Sequence, residues 1–509
     1  MKVLVTGATG FVGRALVPRL LADGHQVVVQ SRSVERAKNA LGADVEVVST
    51  DDAWSASLAG VEGIVNLAGE PIVSGRWTEK KKKALVESRV DRTQAMVEAI
   101  GAMEERPKVL VSASAVGFYG SRGDEVLTEE SSRGDDFLAE LCDGWEQSAF
   151  AAKTHGLRVA ALRIGVVLGR GGGALQKMLP AFKMGGGGKL GSGNQYMPWV
   201  HIADLVELMA TALTDDRYAG VFNATGPTPV DNKTFTSAMG NALHRPTIVP
   251  VPSFALKAIF GEASQVLLEG QRAEPKRAQA LGFEFEFSTI DEALNDILVE
   301  KKSVTLTKPR ELPESDYLNG RPVRRVLEQV TWIDAPLEEV YAFFSKPQNL
   351  GAMTPPSMSF EVQTAVPDEM SPGTEIEYLI RLGPVPMKWK TRIEEVVPME
   401  RFVDTQLRGP YASWHHVHLF ERHGDRTKMI DRVHFAAPFG PLGWIAEALF
   451  VQPQLEAIFG YRAQITALRF QGSRRSRPTN SVTPMRSKNK SKTSSFDARM
   501  SVPPASMST

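Results

Sequence analysis

A chain of 509 residues is too long for one ordinary core and implies two or more domains. Its hydrophobic fraction of 42%, charged fraction of 23% and formal net charge of zero describe soluble globular protein, which excludes a chain disordered throughout and any global basic field for nucleic acid or anionic lipid. The single cysteine, Cys142, excludes an internal disulfide and a cysteine-based metal cluster, and the chain opens directly on a strand with no signal core, so a cytoplasmic location is expected.

Runs rich in Val, Ile and Leu at 2–6, 26–30, 63–67, 108–112, 158–164 and 221–224 alternate with helix-length segments. Without polar alternation they read as strands buried on both faces, which predicts an α/β, doubly wound parallel sheet of the Rossmann type. A Gly-rich stretch at about 171–192 reads as loop around one short helix, and amphipathic helices at 262–268, 275–281 and 291–298 close the substrate side, a helical region of about 170–300. Residues 301–325 turn charged and Pro-bearing and read as a linker. From 326 to 471 the pattern changes: a strand at 326–332, a helix at 336–344 opened by Pro336, further alternating strands and a last helix at 454–470 predict an α+β domain with an antiparallel sheet. The stretch 435–451 is apolar but broken by Pro438, Gly440, Pro441 and Gly443, so no membrane span is expected. The last segment, 472–509, carries eight basic residues against Asp497 alone and is expected to be a disordered tail.

The strongest local signal is Thr6-Gly7-Ala8-Thr9-Gly10-Phe11-Val12-Gly13, between the first strand and a helix at 11–23 that ends at Gly24. Gly7 permits a tight turn, Gly10 lets backbone approach a pyrophosphate, Gly13 lets helix and strand pack closely, and the helix start presents free N–H groups to the anion. An NAD site normally carries an acid about 20 residues further on for the ribose hydroxyls. Here the second strand ends in Gln30-Ser31-Arg32-Ser33; Arg32, helped by Ser31, suits a 2′-phosphate, so NADP is the expected cofactor.

These residues resemble the fingerprint of the extended short-chain dehydrogenase/reductase superfamily. Asn66-Leu67-Ala68-Gly69 is similar to its Asn-Ala-Gly element, Ser112-Ala113-Ser114 to its active-site serine strand, 162–169 (Leu-Arg-Ile-Gly-Val-Val-Leu-Gly) to the strand and loop that follow, and Trp199 to Asp204 to a motif before a late helix. The segments Ser-Ala-Ser-Ala-Val-Gly-Phe-Tyr-Gly and Arg-Trp-Thr-Glu resemble the atypical epimerase-like branch, some of whose members are labelled SulA-like cell-division inhibitors. The resemblance implies that Gly7, Thr9, Gly10, Phe11, Val12, Gly13, Ser31, Arg32, Leu67, Ala68, Gly69, Ala113, Arg163 and Gly165 hold the cofactor. It also implies Ser114, with Tyr119 as substitute acid, for catalysis. One departure stands out: superfamily enzymes use Tyr-x-x-x-Lys, but counting back from Glu146 those positions fall on Leu138 and Cys142. The residues Ile333-Asp334-Ala335-Pro336 through Phe344, with Pro347 and Asn349, resemble the START-like, polyketide-cyclase (SRPBCC) superfamily. Its helix-grip fold implies a cavity for a hydrophobic ligand, with Phe343, Phe344, Trp389 and Trp414 as candidate lining.

Other candidates carry less chemistry. The run Lys80 to Lys83 reads as a solvated helix face, and Asp204 as a helix-start residue after His201. Among His415, His416, His418, His423 and His434, the pair His416 and His418 alternates onto one face of a strand, but the sequence places no third ligand and no metal is assigned. The expected function is an NADP(H)-dependent oxidoreductase or epimerase-like enzyme acting on a small molecule. The competing reading is a non-catalytic NADP(H)-binding regulator whose START-like domain binds a lipid or partner.

Overall fold

The first sheet grows from the short Val-rich runs. In a computed structural model that describes residues 1–298, 304–382, 385–438 and 451–470, seven strands pair in parallel. They are β1 (Lys2–Thr6), β2 (Gln26–Ser31), β3 (Val45–Ser49), β4 (Gly63–Asn66), β5 (Val109–Ala115), β6 (Arg158–Ile164) and β7 (Gly220–Ala224), in the order β7-β6-β5-β4-β1-β2-β3. The chain builds outward from β1 to β3, then crosses to β4 and continues the other way. The reversal therefore falls at the carboxyl ends of β1 and β4, where such sheets open a crevice. Helices cover both faces: α1 (Phe11–Ala22) and the later Ile202–Thr214 helix bury Leu16, Leu20, Leu205 and Met209 on one side. Met96, Ile100, Ala149 and Leu157 close the other. Strand β3 was not foreseen, because it is an edge strand whose side chains are largely half-buried, with Glu46 paired to Lys2 at 3.0 Å, so it lacks the continuous apolar run of its neighbours.

The Gly-rich stretch holds a helix, Gly173–Lys183, with Gly171 before it and Gly173 at its start both at positive φ. A Cβ at Gly172 or Gly173 would strike the Phe11 ring, so this loop packs over the start of α1.

The second sheet is antiparallel and eight-stranded. Its strands are β8 (Val304–Thr307), β9 (Arg325–Ile333), β10 (Glu361–Val362), β11 (Glu375–Leu382), β12 (Val385–Val397), β13 (Arg401–Arg408), β14 (Ser413–His423) and β15 (Arg426–Ala436), in the order β8-β9-β15-β14-β13-β12-β11-β10. The segment read as linker is thus partly sheet: Val304–Thr307 pairs with β9, its alternating half-buried residues joining a strand that the charged neighbourhood disguised. Two helices complete the domain, α2 (Leu337–Phe344), capped at Pro336 as expected, and α3 (Gln452–Phe470). Leu455 and Phe459 of α3 pack against Leu327, Trp389, Trp414 and Phe435 of the sheet. The same helix turns its other side to the first domain: Leu468 packs against the core around α1, Arg469 reaches Asp44 at 2.9 Å, and Gly171 lies against the Tyr461 ring. Asn349 adds a bond from the Ala43 N–H, 3.0 Å, so the two domains share one compact unit, Met1–Gly472.

Among the described residues no helix is long and apolar enough to cross a membrane. The basic tail, 472–509, and most of the apolar stretch, 439–450, lie outside the described residues.

Candidate functional site

The crevice is shaped by glycines whose conformations a side chain would forbid. Gly7 has φ +67°, and a Cβ there would stand 2.6 Å from the Leu67 carbonyl oxygen. A Cβ on Gly13 would lie 2.5 Å from the Ala8 Cα, so α1 docks on the loop at a distance only glycine allows. Gly10 meets nothing closer than the Gly7 carbonyl at 3.1 Å, and its flank is open. Gly10 caps α1 without a side chain, leaving the first N–H groups of the helix for an anion. Thr9 contributes its carbonyl to the Arg14 Nε at 3.0 Å, and Val12 is half-buried on the same turn.

Thr6 ties this loop to the next strand. Its hydroxyl donates to Asn66 Oδ1 at 2.7 Å and accepts from the Leu67 and Ala68 N–H groups, both at 3.2 Å. Asn66 in turn donates to Thr93 and to Ser112. Leu67, Ala68 and Gly69 are therefore fixed at the carboxyl end of β4. Gly69 touches the Arg89 guanidinium, which holds the Glu70 carbonyl at 2.8 Å from a π-helical turn, Glu87–Asp91. Neither that turn nor Arg89 was visible in the sequence, since the helical pattern there is unbroken.

At the end of β2, Arg32 is exposed, Ser31 bonds within its own turn, and Ser33 caps the helix Val34–Leu41. A second guanidinium joins them. Arg92 lies over the Trp54 ring, donates to Gln30 Oε1 at 2.6 Å, and has its pKa lowered by burial and then by the charge of Arg32. Arg92 thus brings a second cation to the end of β2, an arrangement that suits a dianion. Sequence reading missed Arg92 because it comes from a helix sixty residues further on.

Behind β5 the expected catalytic residues meet in a closed network. Ser114 Oγ donates to Glu146 Oε1 at 2.7 Å, and Arg163 grips both Glu146 oxygens at 2.8 Å. Arg163 also donates to the Tyr119 hydroxyl at 3.0 Å, and Tyr119 donates to Asn223 at 2.7 Å. Arg163, expected at the cofactor, thus commits all three guanidinium nitrogens to this network, and it is only 3% exposed. Burial raises the Tyr119 phenol above its ordinary range despite the pull of Arg163, so it stays protonated at neutral pH. Ala113 is buried between these strands, and a Cβ on Gly165 would strike the Pro198 carbonyl, so both positions serve close packing. Leu138 and Cys142 lie one turn apart on the Phe137–Phe150 helix, both facing Gly117. Burial, then Glu146, pushes the Cys142 thiol up to about 12. Neither side chain can exchange a proton at neutral pH.

The lysine run is not uniformly solvated: Lys81 pairs with Glu70 at 2.9 Å and Lys82 with Glu262 at 2.8 Å, while Lys83 is 77% exposed. Asp204 does more than start a helix, since its carboxylate accepts the Glu286 and Phe287 N–H groups at 2.7 and 3.2 Å. Burial raises its pKa to about 6 against the opposing pull of those bonds and His201. A carboxyl raised on folding binds its proton more tightly in the native state, so its contribution weakens as pH climbs from the unfolded value of about 4 to about 6 and is constant above. Asp204→Asn is expected to flatten that part of the stability profile; an unchanged slope in chemical unfolding between those pH values would refute it.

In the second domain an apolar cavity opens between the sheet and α3. Phe344, Trp389 and Trp414 line it as expected, with Tyr378 and Tyr411. Phe343 packs instead against Phe344 and Phe470.

Residues 3–224 match the NAD dependent epimerase/dehydratase family, residues 251–297 a domain of unknown function (DUF1731), and residues 333–458 the polyketide cyclase/dehydrase and lipid transport family. The chain is 47% identical over 303 residues to the chloroplastic epimerase family protein SDR39U1 homolog of Arabidopsis thaliana, covering 58% of this chain and 87% of the relative. The chain belongs to the epimerase family. It is also 36% identical to the epimerase family protein YfhF of Bacillus subtilis over all of that protein and 60% of this chain. The crystal structure of human SDR39U1 (isoform 2) with NADPH superposes with a TM-score of 0.55 at 37% identity, covering 59% of this chain and 99% of that one. An NAD(P)-binding Rossmann domain of this family is therefore followed here by a polyketide-cyclase-like domain, which the span shared with these relatives does not account for.

Proposed function

We propose that the first domain binds NADP(H) and reduces a small molecule whose oxygen needs no tyrosine acid: a quinone or a conjugated carbonyl. The observation that carries this reading is that Leu138 and Cys142, the positions the resemblance implies for an acid pair, offer no exchangeable proton at neutral pH, beside a Tyr119 whose proton is already given to Asn223. Oxidation of an ordinary alcohol requires a base for the hydroxyl proton, and the carboxylate behind Ser114, Glu146, is held on both oxygens by Arg163. A conjugated acceptor spreads the charge that arrives with hydride and takes its proton from water. When bound, the nicotinamide supplies the hydride, and the protein supplies position. Ser114, at the carboxyl end of β5, orients the substrate oxygen by turning its hydroxyl from Glu146. NADP over NAD follows from Arg32 and Arg92 and agrees with the NADPH bound to the human relative.

Purified chain is expected to consume NADPH with quinones or conjugated aldehydes and much less with simple ketones, and Ser114→Ala to slow this about 10-fold, the loss of one orienting hydrogen bond. Arg32→Ala should weaken NADPH by about 10–100-fold, the loss of one charge-assisted contact, and leave NADH nearly unchanged. Tight NADPH binding with no turnover on any of these acceptors would overturn the catalytic reading. It would favour a non-catalytic NADP(H) holder instead, the reading supported by the donation of the Ser114 proton to Glu146.

A further inference from the structure

The apolar cavity of the second domain has a polar floor that a hydrophobic ligand does not explain. His416 and His418 stand two apart on β14 and face the same side of the sheet, toward α3. Asp404 on β13 is directly opposite His416, and Asp431 on β15 directly opposite His418, so three adjacent strands bring two imidazoles and two carboxylates together. Both histidines and Asp431 are at most 5% exposed.

The distances separate the two carboxylates into two roles. Asp404 Oδ2 lies 3.0 Å from His418 Nε2 and 3.5 Å from His416 Nδ1, and the three groups offer ligand atoms all within 4.8 Å of one another. Ligands about 2.0–2.1 Å from a tetrahedral ion stand roughly 3.3 Å apart, close to the 3.0 and 3.5 Å from Asp404 to the two rings. The opposite nitrogens of the same rings, His416 Nε2 and His418 Nδ1, each lie 2.9 Å from Asp431 Oδ1. A metal-bound histidine characteristically gives its other N–H to a carboxylate, which fixes ring and tautomer. Asp431 does this for His416 and stands at the same distance from the His418 ring, and Arg462 from α3 anchors it at 3.0 Å.

We propose that Asp404, His416 and His418 form a mononuclear site for a divalent transition-metal ion, zinc or ferrous iron, with Asp431 as the carboxylate that orients His416 and backs His418. Two nitrogens and one oxygen suit these ions better than magnesium or calcium, which take oxygen donors. Three protein ligands leave a further position, and Asp404, His416 and His418 all line the cavity beside Trp389 and Trp414. That position faces the apolar chamber and takes water or an oxygen of the molecule held there, the open arrangement of a reactive site and unlike a closed structural one.

The full chain, stripped with a chelator and dialysed, is titrated with zinc by calorimetry and with cobalt(II) by visible absorption. One ion per chain is expected, with the intense cobalt bands of a four- or five-coordinate site. His416→Ala with His418→Ala should abolish that uptake, while His423→Ala, at an exposed ring, leaves it intact. Asp431→Asn should weaken binding by about 10–100-fold without changing stoichiometry. Because the double variant removes buried groups, X-ray absorption on the cobalt-loaded parent gives a second reading, with two imidazoles and oxygen expected in the first shell. No uptake by the stripped parent, undiminished uptake in a folded double variant, or a first shell without imidazole would each overturn the proposal.

Discussion

Arg163→Met is expected to destabilise the first domain by about 3–5 kcal/mol, the cost of leaving a buried charge without its partner. The guanidinium and Glu146 are 4% and 5% exposed, paired through two bonds of 2.8 Å. Removing the cation strands the Glu146 carboxylate, the proton of Ser114 being the single remaining compensation, and takes from the Tyr119 hydroxyl one of its two partners. The companion Glu146→Leu should be comparably harmful. The double variant should recover a large part of the loss, since two apolar side chains of similar volume pack without a desolvation cost. Calorimetric melting of the four proteins closes the cycle. An Arg163→Met protein within about 1 kcal/mol of the parent would show that water reaches this network, because an exposed ion pair is worth no more than that.

Gly13→Val should abolish NADPH binding, by about 100-fold or more, while the chain still folds. The new Cβ would stand 2.5 Å from the Ala8 Cα and equally close to its carbonyl oxygen. Both are backbone atoms, so neither can rotate away, and α1 must withdraw by about 1 Å, enough to misplace the N–H groups that meet a pyrophosphate. The contrast is Gly24, at φ +76° with nothing within 4 Å of its Cβ. Gly24→Ala costs about 1 kcal/mol of strain and should leave cofactor affinity unchanged. Equal loss at both positions in fluorescence titrations with NADPH would mean that the effect is general instability.

The parallel sheet was legible because each central strand is buried on both faces and so reads as an unbroken apolar run. β3 and β8 escaped for the opposite reason: edge strands carry charged and half-exposed residues, and their pairing is decided by a neighbour far along the chain. The glycine loop was legible because its chemistry is local, eight residues between one strand and one helix. Tyr119 and Ser114 were legible as chemical groups but their hydrogen-bond partners were not, since Asn223 and Glu146 reach them through space.

The same division runs through both candidate sites. By itself the sequence determined the cofactor loop, the absence of the Tyr-x-x-x-Lys acid pair, the cationic end of β2 and a change of fold type towards the C-terminal end, though not its start at Val304, all properties of short contiguous segments and their periodicity. Only the tertiary structure brought Arg92 to the end of β2, closed Ser114, Glu146, Arg163 and Tyr119 into one network, and set Asp404 within 3.5 Å of two histidines of the next strand. Those groupings depend on sheet register and helix packing between residues tens of positions apart, and local pattern carries no record of register.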